Sequence, residues 1–233
     1  MGRPKPTNKS ADHHKQDQRN PSQHSPAQRK VWDAIASGWS DWRVKPRREI
    51  DKFAHDWWPS RILDIGCGNG RNLLPFSERG FDCYGIDFSK QMVGNAEELF
   101  KRRGLVAKFN VADARKLPFR SGNFDYCVSI AVLHHLKGVK EQMRALQEMK
   151  RVLRKGGIAL VTVWNKYSFR YPHMALKPKE TYISWNRKGT AHQRYYYLFS
   201  YWELKRLLHS AGFRVLKSGG LFDENIVFLV EKA

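Results

Sequence analysis

Hydrophobic and polar residues follow one another along this chain in two patterns, from about residue 28 to the end. Buried strands are predicted by short, nearly continuous apolar runs at 61–66, 83–87, 107–111, 124–132 and 158–164. Helices are predicted where apolar residues recur three and four positions apart, as in Val31-Ile35-Trp39 and over 46–57, 91–103 and 139–153. Alternating strands and helices with short connections indicate a doubly wound α/β sheet.

The C-terminal part of the chain carries a capped helix and two more strands. Ser200 and Glu203 have the spacing of a capping box, and the helix they begin is expected to stop at Gly212. Strands predicted near 214–218 and 225–231 are only a few residues apart, so they can pair as an antiparallel hairpin. The expected fold is therefore a mostly parallel seven-stranded sheet with an antiparallel C-terminal hairpin at its edge.

Composition and charge define the domain and its class of partner. The 233 residues are 41% hydrophobic, which suffices for one core, and we expect a single domain over residues 31–233. Residues 1–30 are poor in apolar residues and contain four prolines, so they are expected to form a disordered tail. The net charge is +20, of which the tail holds seven basic and two acidic residues, or +5, leaving +15 on the domain. Such a surface attracts polyanions.

Other classes of protein are disfavoured. The sequence has no apolar stretch long enough for a membrane span and no signal-peptide core, so we expect no membrane association. Its three cysteines, Cys67, Cys83 and Cys127, form no CxxC pair, which disfavours a metal site and a disulfide framework. A cytoplasmic location is expected.

A glycine-rich loop follows the first strand of the predicted sheet. It reads Asp64-x-Gly66-x-Gly68-x-Gly70, with an acid two residues before the first glycine. Glycines at alternate positions let the backbone turn sharply and approach a ligand at the carboxyl end of a parallel strand. A dinucleotide-binding fingerprint would have glycine at the place of Arg71, so the pattern differs from that motif.

This loop resembles that of the class I S-adenosylmethionine-dependent methyltransferases. Asp87 at the end of the second strand and Asp113-Ala114 after the third match further elements of that family. The resemblance implies S-adenosyl-L-methionine as cofactor, held by Asp64 and the three glycines, with Asp87 on the ribose hydroxyls and Asp113-Ala114 at the adenine.

Two adjacent histidines follow the fourth strand, at the end where the acceptor is expected. An amine or phenol acceptor must lose a proton during methylation, whereas a carboxylate is already anionic at neutral pH. His134 is the candidate for a general base and His135 for substrate binding, and each could instead have a packing role.

Residues 164–202 are a basic, aromatic insertion between the fifth strand and the capped helix. They contain seven Lys or Arg residues, one acid, Glu180, and twelve aromatic residues. Positive side chains follow phosphates and aromatic rings stack on unpaired bases, so the segment predicts RNA binding. Some of the aromatics, notably Phe199 and Trp202, are expected in the core instead.

One subgroup is especially similar, the tRNA wobble-uridine methyltransferases that esterify 5-carboxymethyluridine. The resemblance rests on residues 39–46 (WSDWRVKP), 163–165 (VWN), 180–185 (ETYISW) and 193–200 (QRYYYLFS). It implies a catalytic group of Asp41, Arg43 and His134. Arg43 and Arg194 would hold the uridine carboxylate or flanking phosphates, and Asp41 would position Arg43 or the base. The substrate-binding residues it implies are Arg43, Lys45, Arg47, His135, Lys166, Trp185, Arg194 and Tyr195.

The same resemblance implies two partners, tRNA and a small zinc-binding activator subunit. The activator would pair with the third strand, residues 107–111, which is expected at the edge of the sheet. Two alternatives stay open at the level of sequence: a small-molecule methyltransferase acting on a quinone, phenol or amine, and a non-catalytic RNA-binding subunit with the same fold.

Overall fold

A computed structural model describes residues 26–187 and 189–233. The described residues form six α-helices: α1 (Pro26–Trp42), α2 (Arg48–Ala54), α3 (Leu74–Glu78), α4 (Lys90–Arg103), α5 (Gly138–Val152) and α6 (Tyr201–Ser210). They also form nine strands: β1 (Arg61–Ile65), β2 (Asp82–Asp87), β3 (Lys108–Val111), β4 (Phe124–Ile130), β5 (Leu153–Trp164), β6 (Glu180–Arg187), β7 (Thr190–Tyr197), β8 (Phe213–Gly219) and β9 (Asn225–Lys232).

Seven of these strands make one sheet in the order β3-β2-β1-β4-β5-β9-β8. The first five run parallel, while β9 pairs antiparallel with β5 and β8 pairs antiparallel with β9. The predicted fold class is therefore confirmed, including the C-terminal hairpin and the position of β3 at an edge. The strand order reverses between β1 and β4, which is where open α/β sheets bind ligands.

Local sequence signals explain most element boundaries. The Ser89 hydroxyl accepts from the Met92 N–H at the start of α4, and Gly104 ends that helix in the left-handed conformation. The capping box of Ser200 and Glu203 is formed at the start of α6. The capping box is a feature that residue type and spacing predicted.

The start of α1 differs from the expected tail boundary. Residues 26–30 are helical rather than part of a tail, and proline is compatible with a first helical turn. The side chain of Gln28 is buried and joins α1 to β7, since its amide donates to the Gln193 carbonyl and accepts from the Tyr195 N–H. The rest of the predicted tail, residues 1–25, lies outside the described residues.

The end of α5 also differs from the prediction. The helix stops at Val152, and Leu153 begins β5. The apolar periodicity of the sequence instead predicts a helix that continues through Leu153. Leu153 is buried opposite Phe124, and Gly156 and Gly157 lie in an irregular stretch of the β4–β5 pairing. Burial within the sheet thus overrides the helical pattern.

The basic insertion contains the second, two-stranded sheet. Its strands β6 and β7 pair antiparallel from Glu180 opposite Tyr197 to Arg187 opposite Thr190. The hairpin packs against α1 and against the turn that holds His134 and His135. Phe199 is buried as expected, but Trp202 is largely exposed, because it lies on the solvent side of α6.

Candidate active site

A cavity opens at the carboxyl ends of the parallel strands, beside the glycine loop. Its wall includes Gly66, Gly68, Asp87, Ala114, His134 and His135, together with Arg43 and Arg47 from the segment after α1. The structure therefore brings together much of the predicted cofactor site, both histidines and two of the predicted substrate arginines. It also adds wall residues that the sequence analysis did not single out, namely Trp32, Trp39, Arg71, Trp164, Tyr196 and Glu224.

The glycine loop and Asp87 form one hydrogen-bonded unit. Gly66, Gly68 and Gly70 all have positive φ, of 75°, 54° and 78°, a backbone conformation that favours glycine. The Gly68 N–H donates to Oδ2 of Asp87 at 3.0 Å, and the Ser89 N–H donates to Oδ1 at 2.9 Å. A Cβ built on Gly68 meets no atom within 4 Å, so the loop leaves open space on the side of the cavity.

Asp64 lies beneath this loop and is fully buried. Neither of its carboxylate oxygens has a hydrogen-bond partner among the described residues. Burial, reinforced by the negative charge of Asp87, raises the pKa of Asp64 to about 8. Burial likewise raises the pKa of Asp87 to about 6, although its backbone hydrogen bonds oppose the rise.

Three arginines stand together on the cavity wall. Burial and the neighbouring charges of Arg43 and Arg47 lower the pKa of Arg71 to about 10. Arg47 is paired with Glu49 at 3.2 Å, whereas Nε of Arg43 is buried with no hydrogen-bond partner among the described residues. A buried donor of this kind needs an acceptor, so the cluster is suited to an anionic ligand.

The segment that supplies Arg43 and Arg47 is fixed to the glycine loop. Nδ2 of Asn69 donates to the Arg43 carbonyl at 2.9 Å, and Oδ1 of Asn72 accepts from the Arg47 N–H at 3.1 Å. The two asparagines therefore set the distance between the predicted substrate arginines and the predicted cofactor loop.

His134 has a defined tautomer. The Trp164 N–H donates to Nδ1 of His134 at 3.0 Å, so the ring proton of neutral His134 resides on Nε2. Burial and the nearby His135 and Arg194 hold the pKa of His134 well below its usual range. His134 is thus a neutral hydrogen-bond donor on the cavity wall. This geometry disagrees with the general-base role considered from the sequence, because the lone pair at Nδ1 is already used.

Arg194 lies behind the cavity wall rather than on it. It is 4% exposed, and its guanidinium is surrounded by the rings of Trp32, Trp39, Trp185 and Tyr196 at 5.2 to 6.0 Å from their centroids. Its Nη1 donates to the Tyr196 hydroxyl at 2.6 Å. Arg194 and Trp185 therefore support two cavity residues, Trp39 and Tyr196, instead of lining the cavity themselves.

The prediction that the Tyr195 side chain binds substrate requires a correction. Its side chain packs in the main hydrophobic core, and the neighbouring Tyr196 lines the cavity. Successive side chains of a strand point to opposite sides, so Arg194 and Tyr196 share the cavity side of β7 while Tyr195 and Tyr197 face the core. Tyr195 contributes through its backbone, since its carbonyl lies 3.0 Å from Nδ1 of His135.

The remaining predicted residues lie outside the cavity lining. The Lys166 ammonium donates to the Lys177 carbonyl, so this lysine is engaged within the insertion. Asp113 pairs with Arg115 at 2.7 Å, while its neighbours Ala112 and Ala114 line the cavity. Asp41 and Lys45 are exposed on either side of Arg43.

Comparison with known proteins agrees with this geometry. A family model described as "Methyltransferase domain" matches residues 63–161, which run from β1 into β5. The tRNA (carboxymethyluridine(34)-5-O)-methyltransferase of Schizosaccharomyces pombe is 30% identical over 214 residues, covering 81% of this chain and 89% of that protein. The chain belongs to this methyltransferase family.

Other matches fit the same family. The tRNA (carboxymethyluridine(34)-5-O)-methyltransferase alkbh8 of Xenopus tropicalis is 40% identical over 136 residues, 58% of this chain but 20% of that longer protein. Among solved structures, the 1,6-didemethyltoxoflavin-N1-methyltransferase of Burkholderia thailandensis has a TM-score of 0.68 at 21% identity, covering 89% of this chain and 88% of that one. The solved structure supports the fold, and the sequence relatives support the family.

The cofactor of this methyltransferase is S-adenosylmethionine, and the residues present fit it. The carboxylate of Asp87 at the cavity wall can accept from a ribose diol, and the open space beside Gly68 admits the ligand close to the backbone. Beneath the loop, the unpartnered carboxylate of Asp64 would gain from a nearby positive charge. Asp64, Gly66, Gly68, Asp87 and Ala114 are therefore the residues we expect to hold the cofactor.

Two further features complete the description of the site. Within residues 26–187 and 189–233, no three His, Cys, Asp or Glu side chains come together as a metal site would require. All three cysteines are free and buried, and no helix of the described residues is long and apolar enough to cross a membrane.

Proposed function

We propose that this protein transfers the methyl group of S-adenosylmethionine to the carboxylate of 5-carboxymethyluridine at the wobble position of tRNA, forming a methyl ester. The carboxymethyluridine methyltransferases of fission yeast and Xenopus support the substrate. The observation that carries the choice of acceptor is the state of His134, whose Nδ1 is occupied by the Trp164 N–H. A neutral donor suits an acceptor that arrives already anionic.

The bound cofactor supplies an electrophilic methyl group on a sulfonium, and a carboxylate can attack it without first losing a proton. The chain's task is then to hold the carboxylate and exclude water. Arg43 is the residue we assign to the carboxylate, because its buried Nε has no hydrogen-bond partner within residues 26–187 and 189–233 and its guanidinium lies 3.9 Å from the Trp39 ring centroid. The Nε2–H of His134 offers a second donor to the acceptor.

The outer basic residues would contact the RNA backbone. Lys45 and Arg48 are exposed within five residues of Arg43, and a stretch without acids separates Asp41 from Glu49. Exposed cations beside a site for an anionic nucleotide are suited to phosphates. We expect the cytoplasm, where tRNA is modified and used, to be the place of action.

The direct test uses an anticodon stem-loop RNA with 5-carboxymethyluridine at the wobble position and methyl-labelled cofactor. We expect label in the RNA that alkali releases, because esters hydrolyse under those conditions. A stem-loop with unmodified uridine is the matched control and should remain unlabelled. Alkali-stable label, or label in a metabolite extract and none in RNA, would contradict the proposal.

A small-molecule phenol, quinone or amine acceptor is the second candidate, and one observation favours it. Glu224 lies on the cavity wall, 3.8 Å from Nε of Arg170, and its carboxylate could serve as the base that such an acceptor needs. Glu224→Gln separates the two candidates: methylation of a carboxylate should persist, whereas methylation of a phenol should fall by about 10²-fold or more. A non-catalytic RNA-binding role would be supported by failure to bind S-adenosylmethionine in calorimetry.

We also propose that the edge strand β3 pairs with a small zinc-binding activator subunit. Strand β3 is the last strand on its side of the sheet, and Val111 at its end is half exposed. An open edge of this kind supports addition of a partner strand. Co-expression with the activator should protect the β3 backbone amides from hydrogen exchange, while those of β8 at the other edge serve as the control and should be unaffected.

A further inference from the structure

Trp42, the last residue of α1, is a large aromatic side chain that the fold does not use. Its side chain is 83% exposed, whereas Trp32 and Trp39 of the same helix pack against each other with ring centroids 5.3 Å apart. An exposed indole contributes nothing to the core, and its apolar surface is unfavourable in water. Its exposure leaves the indole free to pack against a ligand.

Trp42 directly precedes a residue of the cavity wall. The following residue, Arg43, lines the cavity, and its carbonyl is held by Nδ2 of Asn69 in the glycine loop at 2.9 Å. The backbone beside Trp42 is therefore fixed relative to the cofactor loop. An aromatic ring on a fixed support loses little conformational entropy when a ligand packs against it.

The charge around Trp42 selects the class of ligand. Residues 43–48 contain Arg43, Lys45, Arg47 and Arg48 and no acid, while Asp41 precedes the tryptophan. An indole beside several cations is suited to a nucleic acid strand, since the ring stacks on a base while the cations contact phosphates. A protein partner would be expected to need a larger continuous apolar patch than this isolated ring with Val44.

We propose that Trp42 stacks on an unpaired base of the RNA adjacent to the nucleotide that enters the cavity. This inference rests on the proposed function, because it takes the acceptor to be part of an RNA. It adds a residue that positions the RNA by a contact outside the cavity and takes no part in the methyl transfer itself.

The test compares Trp42→Ala with Trp42→Phe and with Trp58→Ala as the matched control. Trp58 is 80% exposed but precedes β1, at the amino end of the parallel strands and so away from the cavity. For the anticodon stem-loop, Trp42→Ala should raise KM roughly 5- to 150-fold, the range for loss of one stacked base, with little change in kcat. Trp42→Phe should recover most of the loss, and Trp58→Ala should behave as the unaltered protein.

Three further measurements keep this result distinct from the outcome for the proposed function. Binding of the stem-loop, followed by fluorescence anisotropy, should weaken in Trp42→Ala even if the RNA turns out not to be methylated. Affinity for S-adenosylmethionine and activity on the free nucleoside should not change. Equal RNA affinity in Trp42→Ala and Trp58→Ala would overturn the proposal. So would an equal loss of activity on RNA and on the free nucleoside, which would indicate a folding defect or a protein contact instead.

Discussion

The backbone N–H of Trp164 donates to Nδ1 of His134 across 3.0 Å, and this one contact determines what the histidine can do. Since Nδ1 is the acceptor, the ring carries its proton on Nε2 and has no free lone pair to receive another. The pKa of His134 is held well below its usual range by burial. The residue stays neutral across the physiological range.

We therefore predict that His134 is not a general base. Replacing it by Gln should lower kcat/KM about tenfold or less, because one hydrogen bond is altered, whereas loss of a general base costs about 10² to 10⁴. The measurement is kcat/KM from pH 5.5 to 8.5 for both proteins, with melting temperature to confirm folding. A fall of kcat/KM toward low pH that vanishes in the variant would show that His134 does take up a proton.

Asp64 leads to a prediction about stability. Its pKa is about 8 in the folded protein, against an ordinary value near 4, because the buried carboxyl has no partner among the described residues. As pH rises from 4 to 8 the unfolded chain gains from ionising this group while the folded chain does not. Its contribution therefore lowers the free energy of unfolding over that window, by at most about 1.4 kcal/mol per pH unit.

In the cofactor-free protein, Asp64→Asn removes this pH-dependent cost. Melting temperatures measured from pH 4 to 8 should shift progressively in favour of the variant as the pH rises, while affinity for S-adenosylmethionine falls. Asp82→Asn is the control, because that carboxylate is exposed and its pKa is lowered rather than raised. A constant difference between Asp64→Asn and the unaltered protein across the window would contradict the prediction.

The pKa of Asp87 leads to a prediction of how cofactor binding depends on pH. Its pKa of about 6 means that the carboxyl becomes protonated as the pH falls through 6. Protonation removes acceptor capacity for a ribose diol, so the dissociation constant of S-adenosylmethionine should rise by up to about tenfold per pH unit below 6. Calorimetry from pH 5 to 7 measures this. The slope should disappear in Asp87→Asn, and a slope unchanged by that substitution would assign it to another group.

Arg194 leads to a prediction about positioning. Its Nη1 donates to the Tyr196 hydroxyl and its guanidinium contacts the ring of Trp39, and both aromatics line the cavity. Arg194→Lys keeps the charge but loses the planar fork, so we expect kcat/KM for the RNA to fall about 10- to 100-fold. A second substitution at Tyr196 tests whether Arg194 acts through this tyrosine.

If Arg194 acts through Tyr196, then the double variant Arg194→Lys with Tyr196→Phe should lose little more than Arg194→Lys alone. Strictly additive losses would show that the arginine contacts the substrate by itself. Arg206, a cation of α6, provides a matched Arg→Lys control, with no change in activity expected.

The parts of the site that the sequence could predict are those in which local chemistry dictates structure. Gly66, Gly68 and Gly70 need positive φ, and Asp87 ends a buried strand, so residue type and spacing determine both before tertiary packing is known. Arg71 was predictable as a site residue, because it is a cation directly after the glycine loop. In the sequence pattern it stands out only as the position where a dinucleotide-binding motif has glycine.

The inward face of β7 was not predictable in the same way. Residues 194–197 are all buried, so no alternation of polar and apolar residues tells Tyr195 from Tyr196. The choice depends on the hairpin's register, in which Tyr195 lies opposite Tyr182, and on the bonds between Gln28 and the β7 backbone. Those contacts join segments more than 160 residues apart and leave no local signal.

The net charge of +20 leads to the last prediction, the salt dependence of RNA binding. If about six phosphates are contacted, affinity for the anticodon stem-loop should fall on the order of 10³-fold between 50 and 200 mM salt, because each contact releases counterions. Lys45→Ala should reduce the slope of log affinity against log salt by about one, since this exposed lysine lies beside the cavity arginine. Lys155→Ala, an exposed lysine at the amino-terminal end of β5, is the control and should leave the slope unchanged. A flat response to salt would mean that the phosphates are not contacted, and would favour a small-molecule acceptor in the same cavity.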